Sequence, residues 1–189
     1  MKTALFNQPT QQKEDQMSDS CGCPSEAGAA VCELSVSKAL PTERHASTCP
    51  QCGQAGKVVQ GQTVKALLTI SLRAVREVEY RYCRTAACPV VYFAADGQQT
   101  FTLDQVRGPI YHKAPQDDAT PVCYCFDHKV GGVRAMNEAQ RTAVLDDINA
   151  GIQAGQCACD LRNPQGSCCL GNVRELIKRL NTLDANLQR

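Results

Sequence analysis

The sequence predicts an α+β chain, a small β-rich unit followed by a helical one. Three observations carry that reading. The alternating segment EVEYRYC (77–83) and the β-branched and aromatic run PVVYFA (89–94) read as strands. Residues 137–187 carry two apolar stripes at helical spacing. Thirteen cysteines in 189 residues recur as tight pairs across both regions. The pairs are Cys21-x-Cys23, Cys49-x2-Cys52, Cys83-x4-Cys88, Cys123-x-Cys125, Cys157-x-Cys159 and Cys168-Cys169, with Cys32 standing apart.

Residues 1–44 are rich in Gln, Ser, Glu, Ala and Gly without a sustained period, and read as a flexible arm in which Met17 offers an alternative start. TVKALL (63–68) suits either a short helix or a strand leading into the sheet. Alternation in 77–83 places Val78, Tyr80 and Tyr82 on one face. Asp96-Gly97 then separates PVVYFA from QQTFTL, a hairpin return. KAPQDDATP (113–121), with two prolines and two acids, reads as a linker. Beyond it Asn137 and Gln140 resemble a capping box, Val144, Leu145, Ile148 and Ile152 form one stripe, and Gly155 is placed to end that helix. A second helix runs from about 171 to 187, with Val173, Leu176, Ile177, Leu180, Leu183 and Leu187 on one side. The two stripes are expected to pack on each other. The resulting division is an arm (1–44), an α+β domain (45–118) and a helical domain (119–189).

Bulk properties narrow the function classes. Apolar residues make up 43%, aromatic residues 5%, and the net charge is +1. A near-neutral chain lacks the long-range attraction behind non-specific nucleic-acid or anionic-membrane binding. No run reaches the roughly 18 apolar residues of a membrane helix, and residues 1–16 are too polar for a secretory signal. The expectation is a cytoplasmic, reducing setting without nucleic acid or membrane insertion, in which thiolates stay available to metals. Pairs this close also disfavour disulfides within a pair, because S–S geometry strains so short a loop.

Cys49-Pro-Gln-Cys52-Gly has the form of a zinc knuckle, two thiolates bracketing a tight turn. Cys83 and Cys88 complete a set of four from adjacent strands. Four thiolates suit a closed tetrahedral Zn2+ site with no open position for substrate, and such a metal contributes directly to folding. Buried free cysteines, or iron in the same set, are the alternatives. The second half holds six thiols: Cys123 and Cys125, then Cys157, Cys159, Cys168 and Cys169. That is more than one zinc needs and suits a [2Fe-2S] cluster, which takes four. A second zinc and a Cu(I)–thiolate site stay open at this point. The turn Asn163-Pro164-Gln165-Gly166 delivers Cys168 and Cys169 to the start of the last helix, whose dipole favours an anionic cluster.

CYCFDH (123–128), GQCAC (155–159) and NPQGSCCLG (163–171), together with CPQCG (49–53) and YRYCRTAACPVVYF (80–93), resemble the N-terminal domain of the CopZ copper chaperones. That domain joins a zinc-binding α+β unit to a helical [2Fe-2S] unit similar to bacterioferritin-associated ferredoxin, and the resemblance spans roughly residues 45–185. It implies the corresponding fold class here, a small zinc-binding β-rich unit followed by a helical [2Fe-2S]-binding unit. It assigns zinc to Cys49, Cys52, Cys83 and Cys88. It assigns the cluster to Cys123 and Cys125 with one thiol from Cys157/Cys159 and one from Cys168/Cys169, of which Cys159 and Cys169 are chosen. Full-length members carry a further ferredoxin-like copper-binding domain with its own CxxC. After His128 the family often has a small hydroxyl residue to start a helix. Lys129-Val130-Gly131-Gly132 stands here instead, so a late helix start is expected.

The function implied is one-electron or metal transfer in copper handling, with a redox or copper-transport protein as partner and Cu+ as a further ligand of the spare thiols Cys157, Cys168 and the arm dithiol Cys21/Cys23. The alternatives are an interaction module with purely structural metals and a ferredoxin unrelated to copper. No nucleophile–base set stands out, so enzymatic catalysis is not expected. His128 reads as a hydrogen-bonding residue of the following loop, His45 and His112 as surface residues, and Tyr80, Tyr82, Tyr92 and Tyr111 as core or hairpin pairs.

Overall fold

The computed structural model describes residues 47–187. The readings made for the arm, with Met17, Cys21, Cys23, Cys32 and His45, lie outside the described residues. The architecture is α+β. Strands β1 (Lys57–Val59), β2 (Tyr80–Tyr82), β3 (Val90–Ala94) and β4 (Thr100–Thr102) form an antiparallel sheet in the order β1-β2-β3-β4. Helix α1 (Gly61–Leu67) resolves the ambiguity of TVKALL. It buries Thr63, Val64 and Leu67, and Leu67 O then accepts from Arg107 N at 2.8 Å, returning the chain to extended pairing.

The strand in EVEYRYC is shorter than the alternation suggests. Tyr80 and Tyr82 are buried and paired in register with Ala94 and Tyr92, whereas Val78 only packs at the core's edge. Upstream of it the backbone bonds to side chains: Gln99 Oε1 accepts from Arg76 N at 3.1 Å, and Gln99 Nε2 donates to Ala74 O at 2.6 Å. All five β3 side chains are buried. Val91, Tyr92 and Ala94 join the main core, while Val90 and Phe93 join the cysteines Cys49, Cys83 and Cys88. A register shift between Val90 and Tyr92 breaks simple alternation and lets one strand serve both clusters.

The second half begins with the two-stranded hairpin β5 (Pro121–Cys123) and β6 (His128–Lys129), then α2 (Val130–Ala135), α3 (Glu138–Gln153), the short α4 (Cys159–Arg162) and α5 (Leu170–Leu187). Helix α2 starts at Val130, directly after β6, and corrects the expected late start. Val130 and Val133 are fully buried, and that burial outweighs the poor helix propensity of Gly131 and Gly132. Helix α3 opens on Asn137 with both halves of the capping box formed at 3.0 Å, and Gly155 follows its end at φ +68°. Val144 and Ile148 of α3 meet Val173, Leu176, Ile177 and Leu180 of α5 in one core. Leu183 and Leu187, expected in that stripe, are 57% and 85% exposed. Buried Arg141, near the start of α3, donates to Asn181 Oδ1 at 2.8 Å and Asp184 Oδ2 at 2.6 Å. Beyond that contact α5 extends past the start of α3, where no helix among the described residues faces it.

Candidate metal centres

The first knuckle is closed by its own backbone. Cys49 N donates to Gln54 O and Gly53 N to Cys49 O, both at 2.8 Å, which folds the CPQCG turn back on itself. The second pair flanks a turn between β2 and β3: Cys83 N donates to Val91 O at 2.9 Å, and Cys88 N to Thr85 O at 3.2 Å. The four sulfurs of Cys49, Cys52, Cys83 and Cys88 lie within 4.8 Å of one another, with Cys49–Cys88 at 3.8 Å and Cys52–Cys83 at 3.7 Å. A tetrahedral zinc with Zn–S near 2.3 Å needs sulfur–sulfur edges of about 3.8 Å. Donor set and spacing therefore fit the ion. Three of the four thiols are buried and Cys52 is half-buried, which leaves no open face for a substrate.

Electrostatics within this set are uneven. Burial pushes the Cys49 thiol up and the Cys88 thiol up to about 12. The Thr85 hydroxyl, 3.5 Å from Cys52 Sγ, holds Cys52 down at about 6. A dication is what allows all four to ionise together. Lys113 adds an element that no local signal announced. Its ammonium donates to Thr85 O at 2.8 Å, Cys88 O at 3.0 Å and Val90 O at 2.8 Å, pinning the second zinc loop from 25 residues downstream of Cys88. The first residue of the expected linker is thus a buttress of this site.

The second set is drawn out into two pairs. Cys125 Sγ lies 3.7 Å from Cys159 Sγ, and Cys123 and Cys169 are buried in the same core cluster. Cys123 and Cys169 are buried, whereas Cys125 and Cys159 are half-buried. Cys157 is half-buried and Cys168 exposed. The Cys169 thiol holds Cys123 at about 6 and is itself driven upward, and burial beside Cys125 raises Cys159 to about 12. One amide reaches a sulfur: Ala158 N donates to Cys125 Sγ at 3.3 Å.

Three local devices shape these arms. The CYCFDH loop turns at Asp127, at φ +53°, so that Cys123 and His128 face each other across the hairpin. Gly151 of α3 admits the Phe126 ring, which would lie 2.2 Å from a Cβ there. The NPQG turn is closed by Gly166 N donating to Asn163 O at 2.8 Å, in keeping with its residue order. Buried Asn163 and Gln165 brace the Ser167–Cys168 backbone: Asn163 Nδ2 donates to Ser167 O at 2.7 Å and Gln165 Nε2 to Cys168 O at 2.9 Å.

The two described histidines have different surroundings. His128 Nε2 pairs with Asp147 Oδ2 at 2.8 Å, a tie from the loop to α3. His112 is not the surface residue expected. It is half-buried, 3.2 Å from Tyr82 Oη, with Arg84 at 3.1 Å from its Nε2, and burial with Arg84 lowers its pKa to about 4. Aromatic neighbours supply the enclosure, with the Tyr82 and Tyr111 rings 5.6 and 5.7 Å away.

Comparison with known proteins adds to this geometry. Residues 46–107 match the family zf_CopZ, a zinc binding domain. The X-ray structure of the CopZ N-terminal domain from Archaeoglobus fulgidus is similar, at 26% identity and a TM-score of 0.54, over 68% of this chain and 96% of that one. No curated protein matches. Residues 46–107 are therefore similar to the CopZ zinc-binding domain, and the likeness in α+β fold extends beyond them. No helix among the described residues is long and apolar enough to cross a membrane.

Proposed function

We propose that this chain is an iron–sulfur and zinc-binding protein with a one-electron redox or metal-transfer role in copper handling. Zinc is held by Cys49, Cys52, Cys83 and Cys88 in residues 45–118, and a [2Fe-2S] cluster by Cys123, Cys125, Cys159 and Cys169 in residues 119–189. The observation that carries the reading is the second set: Cys125 and Cys159 face each other at 3.7 Å and Cys123 and Cys169 are buried in one cluster, outside the converging set Cys49, Cys52, Cys83 and Cys88. Two thiols at that distance suit one tetrahedral metal, and a second pair of thiols supplies the ligands of a second iron.

When bound, such a cluster supplies or accepts one electron at a time. The protein's part is to orient and insulate. Buried Cys123 and Cys169 form the inner arm, and half-buried Cys125 and Cys159 form the outer arm, where a redox partner protein reaches the site over the shortest distance. The amide of Ala158 favours the anionic Cys125 sulfur. The copper assignment rests on the resemblance to the CopZ chaperones. In it Cu(II) is the substrate, gains one electron and becomes Cu(I), which soft thiolates hold. Half-buried Cys157 and exposed Cys168 are the spare thiols nearest to hand.

The test is metal and acid-labile sulfide content with a visible spectrum, on protein purified without oxygen. About two iron, two sulfide and one zinc per chain support the reading. About two zinc and no sulfide overturn it and leave an interaction module with structural metals. Copper is tested separately: Cu(II) added to the reduced protein re-oxidises it one electron per copper, and an unchanged spectrum removes the copper role.

A further inference from the structure

The arms of the second site are seated on the zinc-binding unit. Tyr92, fully buried in β3, donates from Oη to Pro164 O at 2.7 Å. Pro164 is the second residue of the turn that leads to Cys168 and Cys169. Gly166, at φ +65° in the same turn, backs onto α1 so closely that a Cβ would lie 3.1 Å from Thr63 Oγ1. The other arm is tied as well: Gln62 Nε2 of α1 donates to Oδ2 of Asp160, the neighbour of Cys159, at 2.8 Å. Lys57 of β1 also donates to Ser167.

On the zinc side, Tyr92 pairs in register with Tyr82, the residue before Cys83, and β3 begins two residues after Cys88. The zinc ligands thus close the end of the ladder that aims the Tyr92 hydroxyl. We propose that the zinc unit is the template for the second site, with Tyr92 the positioning residue that holds the Pro164–Cys169 arm in ligand geometry. Zinc occupancy then governs how firmly the second site keeps its group. This deepens the iron–sulfur reading and rests on it.

The test uses the full chain, reconstituted without oxygen, as wild type, Tyr92→Phe, Gln62→Ala and the control Tyr82→Phe. Tyr82 is an equally buried tyrosine whose hydroxyl meets His112 and makes no hydrogen bond to the described residues of the second site. Loss of one buried hydrogen bond should speed iron loss to a chelator about five- to tenfold in Tyr92→Phe. Zinc content should be unchanged and the electron paramagnetic resonance of the reduced state shifted. Gln62→Ala, at an exposed contact where folding is not at stake, should give a smaller increase in the same direction. Equal iron loss in Tyr92→Phe and wild type overturns the proposal. So does an equal increase in Tyr82→Phe, which would mark general loosening. A parallel arm needs no iron: in zinc-loaded protein, amide exchange over residues 163–169 should accelerate in Tyr92→Phe and on zinc removal. If wild type takes up no sulfide, the iron–sulfur reading fails, and this exchange comparison alone decides whether the zinc unit positions the arm.

Discussion

Lys113 offers the sharpest perturbation of the first site. Its ammonium converges on three carbonyls of the loop that carries Cys88, at 2.8, 3.0 and 2.8 Å. Lys113→Met keeps most of the stem's length and removes every donor. Each hydrogen bond contributes about 1 kcal/mol net, and a charged donor more, although water reaches this half-buried group and holds the value to the low end. Three bonds give about 3 kcal/mol, or roughly 100-fold in zinc dissociation constant if the loop is ordered mainly when zinc is bound. Removing a positive charge beside a site of net charge about −2 acts in the same direction. The assay is competition with a chromophoric zinc chelator at neutral pH. An affinity within threefold of wild type would refute the reasoning, because the loop would then hold its shape without the ammonium.

Further predictions test other parts of the argument. Zinc uptake should release protons from the Cys49 and Cys88 thiols, whose pKa values burial raises; affinity should therefore rise with pH near 7, by at least the two protons these thiols give up, and competition at two pH values measures it. His112 is held neutral when folded, at about 4, against about 6.5 unfolded. Below 6.5 the unfolded chain binds the proton first, so stability falls as pH drops from about 6.5 towards 4. His112→Gln should flatten that part of a thermal-melt profile, and identical profiles would dismiss the role. Gly151→Ala places a methyl against Phe126 and should cost about 1–3 kcal/mol by overpacking; calorimetry reads the cost, and iron content should fall while zinc content holds.

Much of the fold was legible because its signals are local. The Asn137–Gln140 box, the Gly155 stop and the Asn163–Gly166 turn each depend on residues within four positions of one another, and each forms as read. The apolar stripes likewise located α3 and α5, because helical spacing alone puts such residues on one side. Their failure at Leu183 and Leu187 came from outside the helix, where α3 no longer faces α5. The start of α2 was misjudged for a similar reason: two glycines argue against a helix locally, but the core around Val130 and Val133 decides it.

Of the candidate sites, the sequence by itself determined the donors. Thiol pairs at chelating spacing point to a metal whatever the chain does between them, and Cys49, Cys52, Cys83 and Cys88 do converge within 4.8 Å. The surroundings of those donors were decided only by tertiary structure. The Lys113 clasp, the Thr85 hydroxyl beside Cys52, the neutral His112 and the Tyr92–Pro164 bond join residues 23 to 72 positions apart in sequence or depend on burial created by distant elements. The same holds for the facing of Cys125 with Cys159 and for the shared burial of Cys123 and Cys169, since adjacent cysteines are chemically alike until the fold buries one and exposes the other. Ligand identity is written in residue type and short spacing, whereas orientation, charge and burial exist only once the chain has closed around them.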